Sequence, residues 1–318
     1  MNVTHKKIDV IVVGELNVDI ILNEIESLPV IGKEIMANSM SVTLGSSSAI
    51  FASNLSSLGS RVAFIGKIGK DNFAQVVLTS LEGKNVDTSH IIRSESLSTG
   101  ATVVLNYDQD RANVTYPGAM NDLKLEDIDF EFLSSARHMH FANCFMQPGI
   151  RHDLTALFRH AKELGLTTSL DTQWDPVEKW ELPLEELLPF VDIFLPNIEE
   201  FKFLSQSSSV EEGINKLKHF AHYIIIKNGS EGALGWDGKE LIMQPAFKNE
   251  QVIDCVGAGD SFDAGFIKDF IQNLPISKCL ETGALAGAIN TTRAGGTGAF
   301  ENLNTIREIA LERFNHKF

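Results

Sequence analysis

The chain is poor in cysteine. Its 318 residues include three, Cys144, Cys255 and Cys279, widely spaced and with no C-x-x-C pair. That excludes a disulfide-stapled scaffold and a cysteine-built metal knuckle, and it points to reduced thiols in a cytoplasmic protein. Bases are short as well: 27 Lys and Arg stand against 42 Asp and Glu, a formal net charge of −15. A surface of that sign repels nucleic acid and anionic membrane, so neither is expected as a partner. A phosphate ligand is not excluded, because amides and a metal hold it locally. No apolar run is longer than a short strand, so none is expected to span a membrane. The polar start, residues 1–7, runs directly into a strand, so no secretory leader is expected. Linkers, repeats and low-complexity tracts are also lacking. With 43% hydrophobic and 22% charged residues, the chain reads as one globular domain, 1–318.

What is present is a βα rhythm. Ile8 to Val13, ending at Gly14, is a short β-branched run of the kind found in buried parallel strands. Asn17 and Asp19 follow at its carboxyl end, where ligands bind in open α/β sheets. A weak strand over 33–44 leads through Gly45-Ser46-Ser47-Ser48 into a helix carrying Ile50, Phe51, Leu55 and Leu58. Further strands are expected at 61–66, 138–141, 167–170, 192–195 and 223–227, with helices over 71–83, 149–164, 277–292 and 302–314. The two histidines of the 138–141 strand face one side, with no third ligand nearby in sequence. Asn143 and Asp171 close their strands, and the irregular loop Thr172-Gln-Trp-Asp-Pro176 follows Asp171. Residues 99–105 and 113–116 alternate about the turn Tyr107–Arg111 and form a hairpin. With residues 16–44 they make a small β lid, over about 16–44 and 98–121, that keeps water from the strand ends. The exposed strand edges of such a lid favour pairing with a second copy, so a homodimer is expected. Asp237-Gly238 turns a second hairpin, 232–236 against 240–243. The whole is α/β, a doubly wound, mainly parallel sheet flanked by helices.

The chemistry concentrates at Asp254-Cys-Val-Gly257-Ala258-Gly259-Asp260-Ser-Phe262. Glycines let a ligand approach the backbone, and the first-turn amides of the following helix have no intrahelical partner. They sit at the positive end of the helix dipole and form an anion site. Asp260 places a carboxylate beside it, suited to take a proton from a hydroxyl attacking a bound phosphate. The other reading is a capped turn. The helix beyond carries Phe262, Phe266, Phe270 and Leu274 on one stripe. Asn197 with Glu200 three residues on reads either as a capping box or as a carboxylate ordering a metal-bound water.

In order along the chain, these parts resemble the ribokinase-like, or PfkB-type, carbohydrate kinases. The matching parts are Asn17 and Asp19, the Gly45 turn and helix, the lid ending Pro117-Gly118-Ala119, Asn197-x-x-Glu200, Lys227-x-Gly229 and Asp254-x-x-Gly257-Ala258-Gly259-Asp260. The resemblance covers nearly the whole chain and implies an ATP-dependent phosphotransferase. It implies that Asp260 is the base and that Gly257, Ala258 and Gly259 form the anion hole for the γ-phosphoryl. Asn197, Lys227, Gly229, Gly232 and Asn290 fall on the nucleotide side. The resemblance implies that Glu200 holds Mg²⁺ through water. Asp254, Val256 and the 293–298 loop resemble a potassium site. Asn17, Asp19, Gly45, Ser46, Asn143 and Asp171 fall on the sugar side.

The chain departs from the family at three places. Relatives that phosphorylate simple sugars often carry a second glycine and, five residues after the first, an asparagine; here these positions are Ser46 and Ile50. The frequent Asp-x-Asn-x-Arg reads Asp171-Thr-Gln173-Trp-Asp175, and the loss of Arg disfavours an anionic acceptor. Cys255 stands where Thr is common. The expected acceptor is the hydroxymethyl group of a small neutral sugar. A nucleoside is the alternative, since Trp174 could stack on a base or a sugar face, or else pack within its loop. A silent sugar or nucleotide sensor is a third reading, opposed by the retained Asp260 and both glycines.

Overall fold

A computed structural model describes residues 7–27, 29–107 and 110–317. Thirteen strands run in chain order: β1 (Ile8–Val13), β2 (Asn17–Ile25), β3 (Ala37–Leu44), β4 (Val62–Ile68), β5 (Asp87–Arg93), β6 (Gly100–Tyr107), β7 (Asp110–Tyr116), β8 (Ala136–Ala142), β9 (Thr167–Asp171), β10 (Ile193–Phe194), β11 (Tyr223–Lys227), β12 (Ala233–Trp236) and β13 (Leu241–Gln244). Nine form one sheet in the order β13-β12-β11-β10-β9-β8-β1-β4-β5, parallel except where β12 and β13 fold back. The other four form a small mixed sheet, β3-β2-β6-β7, with β2 and β6 parallel and the outer pairs antiparallel. The expected α/β architecture and both hairpins are present. The expected hairpin turn falls partly on 108–109, and the leader-free start on 1–6, all outside the described residues.

Both faces of β1 are buried, which is why its sequence does not alternate. Val10 and Val12 enter one core with Phe51, Leu55, Phe262 and Phe266; Ile11 and Val13 enter the other with Phe158, Phe201 and Leu217. Period-two side chains that are apolar on both sides require a layer of helices on each face. The strand order reverses at β1, whose neighbours are β8 and β4. That switch point opens a crevice beyond the carboxyl ends of β1 and β8, where Gly14, Glu15 and Asn143 lie.

Several elements differ from expectation. β5 is an edge strand whose only buried residue is Ile91, so its sequence carries almost no apolar signal. The helix over 149–164 is two pieces, Pro148–Arg151 and Leu154–Glu163, parted at His152–Asp153. The phenylalanine-striped helix ends at Phe270, and Asn273 takes φ 61°, so Leu274 lies beyond it. A helix at Val210–Leu217, capped by Ser209, was not expected.

His138 and His140 do face one side. Both are fully buried: His138 hydrogen-bonds Thr167 and Ser169, and His140 bonds Ser169 and stacks on Phe51. No group of three metal-binding side chains exists among the described residues. Burial holds both imidazoles neutral, His138 down to about 3 and His140 well below its ordinary value. The unfolded histidines titrate near 6.5, so below that pH unfolding takes up protons the folded state refuses, and stability falls as pH falls from about 6.5 toward 3. The expected loss at pH 5 is roughly 2 kcal/mol per histidine. Urea unfolding at pH 7 and pH 5 measures it, and His138→Gln should flatten the dependence.

Candidate active site

The Gly257 turn takes φ 74°, and the helix Ala258–Phe270 starts on it. A side chain there would press on Gly296 and Ile50, so Gly257 is needed by the fold. Gly259 differs. A Cβ on it would make only ordinary contact with Lys227, at 3.7 Å from Nζ. Packing does not demand glycine there. Asp260 follows, 7% exposed.

A chain of polar contacts joins Asp260 to the sheet. Gln173 Nε2 donates to Asp260 Oδ1 at 3.0 Å and to Asp171 Oδ2 at 2.6 Å. Lys227 Nζ donates to Asp171 Oδ2 at 2.8 Å and to Asp263 Oδ2 at 3.0 Å. Lys227 thus sits below Gly259, between two buried carboxylates. Its ammonium is held charged by Asp171 and Asp263 against the desolvation that opposes it. The carboxyl of Asp260 is pushed well above its ordinary value, first by burial and then by the charge of Asp171; Lys227 and Gln173 pull it back. The helix N-terminus favours the ionised form, but burial outweighs it. Asp263 is pushed up by burial too. Glu200 reaches about 7 through burial and then Asp171.

Of the residues expected on the sugar side, Gly45, Asn17 and Asp19 meet: a Cβ on Gly45 would collide with the side chains of both others. Asn17 Nδ2 donates to Thr102 at 2.8 Å, and its buried Oδ1 has no hydrogen-bond partner. Asn143, at φ 59°, donates to Glu15 at 3.4 Å, and its Oδ1 is likewise buried without a partner. Two of the expected residues are engaged by other parts of the fold. Ser46 caps its helix, accepting from Ala49 N at 3.0 Å and donating to the Glu15 carbonyl at 2.6 Å, so its hydroxyl is committed to the fold. Asp171 is 1% exposed and tied to Lys227 and Gln173. Trp174 packs edge-on against Trp180 (4.8 Å) and Phe203 (5.9 Å), the loop-packing alternative.

The nucleotide-side residues also sort. Asn197 and Glu200 form a capping box: Glu200 accepts from Asn197 N at 2.9 Å, and Asn197 Oδ1 accepts from Glu200 N at 2.9 Å. Gly229 takes φ 52°, with open space where a Cβ would be. Gly232 takes φ 102° and would collide with the Gln244 carbonyl, so the hairpin requires it. Asn290 is fully buried, donating to the Val256 carbonyl at 2.5 Å and accepting from Ser261 at 3.0 Å, and so braces the anion turn. Asn54 continues that brace, donating to Ser261 and to the Gly296 carbonyl. Asp254 accepts from Val256 N at 2.9 Å and Gly295 N at 2.8 Å, clasping the 293–298 loop to the anion turn.

Three residues were not singled out from the sequence. Glu15, directly after Gly14, is fully buried and accepts from Ser48 Oγ and Ser48 N, which accounts for the serine-rich turn. Asp263, three residues after Asp260 on the same helix, shares Lys227 with Asp171. Gln173 joins the two halves of the network. Position at a strand end flags the first and helical spacing the second; the third shows in sequence only as a departure from a motif's Asn.

Residues 7–303 match the pfkB family of carbohydrate kinases. A 5-dehydro-2-deoxygluconokinase from Geobacillus kaustophilus is 26% identical, with 98% of this chain and 96% of that protein covered. A ribokinase from Lactococcus lactis is 26% identical over 93% of this chain and 95% of its own. Among solved structures, Arabidopsis thaliana ribokinase complexed with ribose and ATP superposes with a TM-score of 0.83 at 23% identity, covering 95% of this chain and 98% of that one. The chain belongs to the pfkB family of carbohydrate kinases.

Proposed function

We propose that this kinase transfers the γ-phosphoryl group of ATP to the hydroxymethyl group of a small neutral sugar. The observation that carries it is Asp260 beside amides opened by Gly259, with the ammonium of Lys227 beneath. In this reading the amides of Gly257, Ala258 and Gly259 receive the γ-phosphoryl oxygens, and the Lys227 charge adds to their field. The acceptor oxygen bonds to phosphorus, the bond to the bridging oxygen breaks, and Asp260 takes the hydroxyl proton. In a loose transition state that proton leaves late, so placement of Asp260 matters more than its strength as a base. Asn17, Asp19, Gly45 and Asn143 face the acceptor. The unpartnered Asn17 and Asn143 oxygens are hydrogen-bond acceptors, suited to hydroxyl donors.

Charge supports a neutral acceptor. Asp171, Asp263 and Glu200 act on Lys227, and Asp171 and Glu15 act on Asp260, so an anionic sugar would meet further like charge. The same hard oxygen donors fit Mg²⁺, which demands few protein ligands. Bound to the nucleotide phosphates, it would neutralise charge at the transferring oxygens. Glu200 would hold it through water, with Asn197 fixing the carboxylate. Gly229 lies open on the nucleotide side, beside the fold-required Gly232. The Asp254 carboxylate and the Val256 carbonyl would hold a monovalent cation, potassium, behind the anion turn.

An ATP-consumption assay over sugars and nucleosides, with and without potassium, tests this. The expected result is turnover with a neutral sugar that slows when potassium is omitted. Turnover with adenosine or inosine alone would replace the acceptor, and unchanged rates without potassium would remove the cation.

The small sheet acts as the lid, in one domain with the rest. Its register puts Thr43, Asp19, Thr102 and Thr115 in one row on one face, and Val42, Ile20, Val103 and Val114 in a row on the other. Met40, Val114 and Tyr116 on that second face are more than half exposed. An apolar sheet face of this kind calls for a cover, and a second copy supplies it. Val114→Asp should convert a dimer to monomers in sedimentation velocity; a wild-type monomer would contradict the pairing.

No helix among the described residues is long and apolar enough to cross a membrane. A cytoplasmic site of action, without nucleic acid or membrane as partner, belongs to this same proposal and is carried by the net charge of −15.

A further inference from the structure

Gln173 occupies a backbone conformation that its side chain does not favour, φ 58°. Left-handed non-glycine residues are held there only when the surroundings insist, and such positions gather at functional sites. The surroundings here are unusually firm. Asp175, 1% exposed, accepts the amides of Val177 (3.0 Å), Lys179 (2.9 Å) and Trp180 (2.8 Å). Trp174 is set against Trp180, and Trp180 stacks on Phe203 at 5.0 Å. Glu178 and Trp180 also take positive φ. The loop is therefore fixed by Asp175 and by aromatic packing, not by Gln173, whose own side chain points inward to two carboxylates.

We propose that Gln173 is a positioning residue that fixes the catalytic carboxylate of Asp260 and selects Oδ2 as the atom that receives the acceptor's proton. The inference rests on the assignment of Asp260 as the base. An amide nitrogen carries two hydrogens and no lone pair for acceptance, so facing two carboxylates it donates to both. The reverse orientation would set an amide oxygen against two carboxylate oxygens and is excluded by repulsion. Oδ1 of Asp260 is thus occupied at 3.0 Å, and Oδ2 is the oxygen left for the hydroxyl. The amide is also a neutral spacer between Asp260 and Asp171, and it passes the constraint on to Lys227 through the shared Asp171 Oδ2. Unlike a lysine or histidine in this place, it neither gains nor loses a proton during turnover, so the proton released by transfer stays with Asp260.

The test needs no acceptor. Protein labelled with ¹³C at aspartate Cγ is titrated by NMR, and the Asp260 signal is identified by its absence from Asp260→Asn. Gln173→Ala removes a donor to the ionised form and leaves Asp171 unspaced, so the proton affinity of Asp260 should rise about tenfold. Gln173→Asn, one methylene short, should fall between. Urea unfolding of Gln173→Ala should stay at the wild-type midpoint, since Asp175 holds the loop. With the acceptor found by the assay above, the acid limb of kcat for Gln173→Ala should move to higher pH while KM for ATP is unchanged. An unmoved Asp260 titration overturns the proposal, as does a fall in kcat with an unmoved limb. The base assignment is judged separately: turnover surviving in Asp260→Asn sinks that assignment, whereas a dead Asp260→Asn with an unmoved Gln173→Ala titration sinks only the role of Gln173.

Discussion

Asp260→Asn is expected to lower kcat about 10³-fold, within the range that general bases contribute, and to leave ATP affinity within about threefold. The asparagine keeps the shape and loses the proton acceptor. It also removes a carboxylate whose charged form burial and Asp171 already oppose, so nucleotide binding should not suffer. The pH profile sharpens the test. Burial and Asp171 push the Asp260 carboxyl well above its ordinary value. The base works only when ionised, so kcat/KM should fall as pH falls, through a limb above the usual carboxylate range. Equilibrium binding of ATP, with turnover over a pH series, checks both. Turnover in the variant near the wild-type rate would remove Asp260 from the chemistry.

Lys227→Met should cost stability most. The ammonium lies 2.8 Å from Asp171 and 3.0 Å from Asp263, and both carboxylates are 1% exposed. Removing one partner of a buried ion network leaves uncompensated charge, a loss of about 3–5 kcal/mol. Urea unfolding at pH 7 measures it. Without Lys227 nothing offsets the burial of Asp263, which then takes up a proton. The gap between variant and wild type should therefore narrow as pH falls. Turnover should fall as well, because the field beneath Gly259 is lost. A midpoint unchanged at pH 7 would mean that the network contributes nothing to the fold.

Much of this was legible in the sequence, for identifiable reasons. The β-branched run at Ile8–Val13 announces a strand buried on both faces, and Gly257-Ala-Gly-Asp260 announces a helix start open to an anion. Those signals are local. β5 was not legible because an edge strand buries one side chain of seven. The hydrogen bonds of Ser46, Asp171 and Asn290 were not legible for a common reason: each stands at the expected place in the chain, but its polar atoms bond distant partners. Ser46 bonds the carbonyl of Glu15, Asp171 bonds Lys227, and Asn290 bonds the carbonyl of Val256. Sequence position names a side chain's neighbourhood and not its hydrogen bonds. Gln173 is the sharpest case. In sequence it is only a departure from an Asn, and its meaning comes from Asp260, 87 residues away.

The most direct measurement is ³¹P NMR of the product made from ATP and the acceptor identified in the assay. The expected result is one phosphate monoester per ADP, its phosphorus coupled to two methylene protons, which places the new bond on a primary hydroxyl. ADP accompanied only by inorganic phosphate, or a monoester on a secondary carbon, would contradict it.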